Sequence, residues 1–233
     1  MMIKHYLKVA FRNLAKYKVQ SIVSILGLAV GFVCFALSTL WIRYEMTYDT
    51  FHEGAERIYL VRAHYAHEPG KISNSTPYPL ADYLQKGNPE IEAMASTSVQ
   101  KVKFRVKDTE KDVVSATADS VLMNFFNIRV LRGTVNFLKG TNGEIAITEE
   151  FSKRIFGEEE ALGREVEVSG HASKVGAIVS GWSSHSNIPY SILTSARHYT
   201  QWGSANENLF VRIRKGTNGE EFQKKIEIGR ASC

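Results

Sequence analysis

Residues 4–45 read KHYLKVAFRNLAKYKVQSIVSILGLAVGFVCFALSTLWIRYE. The stretch opens with charge spaced along a helix and then loses charge altogether. No Asp, Glu, Lys or Arg stands between Val19 and Ile42, a run of 24 residues. At about 1.5 Å of rise per residue the run makes a helix about 36 Å long, against a hydrocarbon core roughly 30 Å thick. It is long enough to span a bilayer with modest tilt. Two other readings compete. A core helix of a soluble domain rarely runs so long without a charge. A cleaved secretion signal has a shorter apolar region and a small-x-small site. Ala36–Leu37–Ser38 supplies such a site, but this run is longer and follows 18 residues rather than a short basic tip. An uncleaved anchor over residues 19–45 is the expectation carried forward.

The flanks orient it. Lys4, Lys8, Arg12, Lys16 and Lys18 precede the span with no acid among them, whereas Arg43, Glu45, Asp49, Glu53 and Glu56 follow it. The positive-inside rule then places the N-terminus in the cytoplasm and residues from about 46 onward outside. Trp41, Tyr44 and Tyr48 stand where an interfacial aromatic belt belongs. Within residues 1–18, Ile3, Leu7, Ala10, Phe11 and Leu14 share one helical face, and Lys4, Lys8, Arg12 and Lys16 repeat every fourth position. That pattern fits an amphipathic basic helix lying on membrane lipid at the inner leaflet. The competing reading is a plain charged leader with accidental periodicity. Gly27 and Gly31 form a Gly-x-x-x-Gly pair through which a second helix could approach, although small residues are common in any span.

The net charge of +5 carries little further meaning. Once the five leading cations are set aside, 24 basic and 24 acidic residues remain. A nucleic-acid binder gathers its positive charge on one docking face, so that class is excluded. Cys34 lies in the apolar run and Cys233 ends the chain, with no metal-ligand spacing between them.

Residues 46–233 alternate between strand-like and helix-like segments. RIYLVRAHYA (57–66) predicts a strand, TPYPLADYLQKG (76–87) a helix with Pro79 in its first turn, and IEAMASTSVQ (91–100) a returning strand. KVKFRVKDTEKDVVSATA (101–118) alternates on both sides of a polar turn and predicts a hairpin. SVLMNFFNIRVLRG (120–133) is an apolar run ending on a turn glycine. EIAITEEFSKRIFG (144–157) predicts a strand, a Thr148 cap, a short helix and a Gly157 stop. A second hairpin turns at Ser169–Gly170, ENLFVRIRKG (207–216) predicts a strand, and a closing helix begins near Asn218, with Glu221 placed as in a capping box. Mixed order with several hairpins predicts an α+β domain rather than a parallel doubly wound sheet. We expect a porter-like lobe over about 55–100 and 173–230, with a β-rich inserted lobe over about 100–172.

Chemistry is sparse. Gly181-x-Ser183-x-His185 lacks the second glycine of a nucleophile elbow. His64 and His67, three apart on a predicted strand, point to opposite faces and make a poor metal pair. Glu158–Glu160 reads as a solvated turn, and no Gly-x-x-x-x-Gly-Lys-[Ser/Thr] loop occurs. Asn74–Ser75–Thr76 fits a glycosylation sequon, which matters only in a eukaryotic secretory setting. No catalytic, metal or cofactor-binding set emerges, and the chain is not expected to be an enzyme.

Five segments, in order, resemble ABC-transporter permeases of the MacB/FtsX type: LKVAFRNLAKYKVQSIVSILGLAVGF, ADSVLMNFFNIRVLRG, EIAITEEFSKRIFGEEEALGREVEV, KVGAIVSGWSSHSNIPYSIL and NLFVRIRKGTNGEEFQKKI. The resemblance covers nearly the whole chain. It implies a noncatalytic permease subunit of the bacterial inner membrane, with a MacB-like periplasmic core domain outside. ATP would be bound by a partner ABC ATPase subunit and not by this chain. It also implies a permease dimer partner and contacts with envelope proteins. Members of the family export macrolides or peptides, release lipoproteins or regulate cell-wall enzymes. They carry at least three further spans, whereas nothing after Ile42 here is long and apolar enough to cross a membrane, and the closing GRASC departs from the family's continuation. A fragment or truncated gene product is therefore expected. The runner-up is a single-pass anchored sensor or binding module, for which 18 leading residues leave no signalling domain.

Overall fold

The structure is a computed structural model that describes residues 2–47, 52, 54–64, 70–107, 109–182, 186, 188–197 and 201–228. The chain divides into two units, Met1–Tyr48 and Asp49–Cys233.

The first unit is two helices, α1 (Met2–Lys16) and α2 (Lys18–Met46). They part at Tyr17, whose φ of −106° and ψ of 57° leave the helical region. The break is stitched on both sides. Tyr17 N donates to Asn13 O at 3.0 Å, and Ser21 N donates to Tyr17 O at 3.0 Å. The Ser21 hydroxyl adds a bond to Leu14 O at 3.2 Å. No described residue of α2 is buried, and Leu28, Phe32, Phe35 and Trp41 are each well over half exposed. Such an apolar surface, uncovered by protein, is what a bilayer covers. Among the described residues, α2 is the one helix long and apolar enough to cross a membrane by length and composition.

The second unit is a mixed α/β domain. Its elements run β1 (Ile58–Leu60), β2 (Ala63–His64), β3 (Ile72–Ser73), β4 (Ser75–Pro77), α3 (Leu80–Gly87), β5 (Ile91–Thr97), β6 (Val99–Val106), β7 (Thr109–Ala118), α4 (Ser120–Phe125), β8 (Val130–Gly133), β9 (Glu144–Thr148), α5 (Glu149–Phe156), β10 (Glu165–Val168), β11 (His171–Val179), β12 (Ile192–Ser195), β13 (Ala205–Ile213) and α6 (Gly219–Ile228). The segment predicted as one strand over 57–66 is two short ones, β1 and β2, and its last two residues lie outside the described set. The strand predicted over 91–100 breaks at Ser98, where β5 ends and β6 begins. The apolar run after Asp119 is a helix followed by a strand, because the Asp119 carboxylate caps α4 by accepting from Leu122 N at 2.7 Å.

Two sheets organise the domain. In one, β13 is the central strand, with β5 on one edge and β1 and β4 sharing the other, all antiparallel. Along β13, Glu207, Leu209, Val211 and Ile213 alternate inward. Leu209, Val211 and Ile213 pack with Leu84 of α3 and Phe222 of α6. The second sheet runs β10–β6–β7–β12–β9–β11, and β10 also pairs β11, so these six strands close on themselves; β8 continues from the later half of β11. Val102, Phe104, Val113, Val166, Val168 and Val175 contribute to the core of this closed sheet, where the rings of Phe104 and Phe151 meet edge to face at 5.0 Å. The β-rich sheet thus runs from Val99 to Ser195, past residue 172 where sequence reasoning ended the inserted lobe. The reason is β12, which inserts between β7 and β9 and belongs to the closed sheet.

Candidate functional site

Lys4 and Lys8 belong to α1, although their side chains lie outside the described set; Arg12, Lys16 and Lys18 are exposed. The Lys16 ammonium stands 5.5 Å from the Tyr17 ring centre. Trp41 and Tyr44, near the far end of α2, are exposed and lie 6.4 Å apart. Around the helix break, Asn13, Tyr17, Gln20, Ser21, Ser24 and Leu28 line a groove of ≈ 580 Å³. Gly27 and Gly31 lie one turn apart on α2, and a Cβ added at either would meet nothing within 4 Å. That face is open in the single chain, as a helix-packing surface requires.

In the acidic turn, two of the three carboxylates meet arginines. Glu160 pairs with Arg132, and Glu159 accepts from Arg164 at 2.8 Å. The Glu160 carboxyl is held below the usual range, first by the Leu162 backbone N–H and then by Arg132. A carboxylate so held resists protonation. Glu158–Glu160 lie along a cleft of ≈ 380 Å³ with Leu131, Arg132, Glu149 and Lys153. His64 is exposed on β2; His67, Ser183, Ser184, His185 and Cys233 lie outside the described residues. Among the described residues no group of His, Cys, Asp and Glu could hold a metal ion.

What sequence reasoning missed is an aromatic cluster between the two sheets. Phe126, just past α4, stands 4.8 Å from Phe125, 4.7 Å from Trp182, 5.1 Å from Phe210 of β13 and 4.9 Å from His52. Trp182 also meets Tyr190 at 5.0 Å and His52 at 4.9 Å. Arg212 lies over the Phe125 ring at 4.4 Å and donates to the Phe125 carbonyl. The Tyr190 hydroxyl donates to Ser180 O at 3.0 Å, and burial pushes the phenol well above its ordinary range. The cluster belongs to a core that includes Ala95 of β5, Ala118 of β7 and Leu193 of β12, so it joins both sheets. Phe125–Phe126 was the one signal available. Trp182 stands inside Gly181-x-Ser183-x-His185, which sequence reasoning weighed only as a nucleophile elbow.

Beside this core, Glu207 is buried and its carboxyl is pushed up, chiefly by desolvation and then by Asp119. Its backbone carbonyl accepts from the Thr76 hydroxyl at 3.0 Å.

Comparison with known proteins resolves what the arrangement is. The MacB-like periplasmic core domain matches residues 21–228. The chain belongs to that family. A domain of a protein described as a permease, from Porphyromonas gingivalis, shares the fold with a TM-score of 0.63 and 18% identity, covering 78% of this chain and 87% of the other. The extracellular domain of the noncanonic ABC-type transporter YknZ from Gram-positive bacteria gives 0.51 and 15%, covering 72% and 86%. The periplasmic region of MacB from Actinobacillus actinomycetemcomitans gives 0.53 and 12%, covering 75% and 82%. No curated protein matches the chain in sequence. The MacB-like domain thus has the mixed α/β fold expected, behind a candidate N-terminal membrane anchor.

Proposed function

We propose that this MacB-like chain is the anchor and outer domain of a noncatalytic permease subunit in an ABC-type export or mechanotransmission system. The observation that carries the reading is the pairing of an apolar helix without buried residues with a family match that begins inside that helix and runs to residue 228. The N-terminus lies in the cytoplasm and residues from about 46 lie outside, because the leading cations Lys4, Lys8, Arg12, Lys16 and Lys18 hold α1 on anionic lipid. Gly27 and Gly31 take a partner span. ATP is bound and hydrolysed by a separate ABC ATPase, and α2 relays its motion to the outer domain. Porter-like and β-rich lobes divide the outer domain between them.

The test is reconstitution of the gene product with any ABC ATPase encoded in the neighbouring genes. The reading expects the ATPase to co-purify and its turnover to change in the presence of this subunit. Failure of any ATPase to associate would move the single-pass sensor or binding module ahead.

A further inference from the structure

We propose that His52 is a wedge at the seam between the β13 sheet and the closed sheet of the outer domain. His52 follows Met46, the last residue of α2, by six positions in sequence. Its imidazole stands 4.9 Å from the Phe126 ring at 55° and 4.9 Å from the Trp182 ring at 79°. These separations and inclinations are those at which aromatic edges and faces attract. Phe126 bears on Phe210 of β13, in the sheet that receives β1. Trp182 follows β11 of the closed sheet and packs on Tyr190, whose hydroxyl returns to Ser180. One side chain, His52, therefore touches Phe126 and Trp182 and reaches Phe210 of the β13 sheet through Phe126.

The neighbouring ties reach the β13 sheet. The Arg57 guanidinium donates to Ile213 O at 2.8 Å and pairs with Glu92 of β5. β1 then pairs with β13 through Ile58↔Arg212 and Leu60↔Phe210. His52 adds the closed sheet through Trp182. That side is the softer one. The buried indole Nε1–H of Trp182 has no hydrogen-bond partner among the described residues, and the ring packs against His52, Phe126 and Tyr190. Displacing His52 removes one of those walls, and the seam loosens.

This inference rests on packing within the outer domain and not on any transported substrate. It is tested by hydrogen exchange on the intact chain in lipid nanodiscs, without an ATPase, so its outcome is separate from that of the permease reading. His52→Ala is expected to speed exchange about tenfold in peptides covering 120–128 as well as in 47–60, with β5 (91–97) still protected, and His52→Phe is expected to restore both. Acceleration confined to 47–60, or none, would overturn the proposal. If His52→Ala strips protection from β5 as well, His52→Leu, which keeps bulk without a ring, is read by the same criteria.

Discussion

Gly133 and Gly176 approach so closely across β8 and β11 that a Cβ on Gly133 would stand 2.3 Å from the Gly176 carbonyl oxygen. Gly133 also has a φ of +86°, where an L side chain is strained. Gly133→Ala should therefore destabilise the outer domain by on the order of 2–4 kcal/mol, combining backbone strain with overpacking. Gly216 has a similar φ of +87° but open space around it. Gly216→Ala should cost only the backbone share, about 1 kcal/mol. Thermal unfolding of the two variants separates the terms, and equal losses would refute the close-approach argument.

Glu207 offers a pH test. Its folded carboxyl is raised above the unfolded value by burial and by Asp119. The folded chain then binds more protons than the unfolded chain between those two values, so stability falls as pH rises through that window. Glu207→Gln removes the charge that burial disfavours. The variant should melt a few degrees higher than wild type at pH 7, with the difference closing below about pH 4.3, where the unfolded carboxyl also protonates. A gap that persists unchanged at acid pH would show that the carboxylate charge is not the cause.

Charge before α2 should set orientation. Changing Lys4, Lys8, Arg12 and Lys16 together to Glu removes the excess of cations that precedes the span. A large fraction of molecules should then insert inverted or fail to insert, as read by impermeant labelling of single cysteines placed at Tyr6 and Glu56. Uniform wild-type labelling of the charge-reversed chain would sink the idea.

Cys34 reports on the glycine face. Gly27, Gly31 and Cys34 follow at i, i+4 and i+7 on α2, one side of the helix. Cys34 is exposed. If that face packs against a second copy, oxidation in membranes of a Cys233→Ser variant should cross-link Cys34 to Cys34. Replacing Gly27 and Gly31 with Leu should lower the yield several-fold by keeping the backbones apart. Absence of any cross-link would exclude self-association through this face.

Much of this protein is decided locally, and the sequence alone determines that part. The anchor follows from 24 residues without a charge. The turn at Ser169–Gly170 joins β10 to β11, with both residues at positive φ. α5 runs from the Thr148 cap, which accepts from Phe151 N at 3.2 Å, to Gly157. Each of these depends on neighbours in the chain: hydrophobic length, a capping oxygen, a residue that tolerates positive φ. The tertiary structure alone decided what depends on partners far away. β12 is four residues whose place between β7 and β9 is set by pairing across 45 and more positions, so no local pattern ends the β-rich sheet at Ser195. The seam is of the same kind. His52, Phe126, Trp182 and Phe210 come from four separate segments, and only packing brings the first three rings within about 5 Å of one another and Phe210 within about 5 Å of Phe126. Sequence periodicity records which face of an element is apolar; which other face it meets is fixed only when the whole chain closes around it.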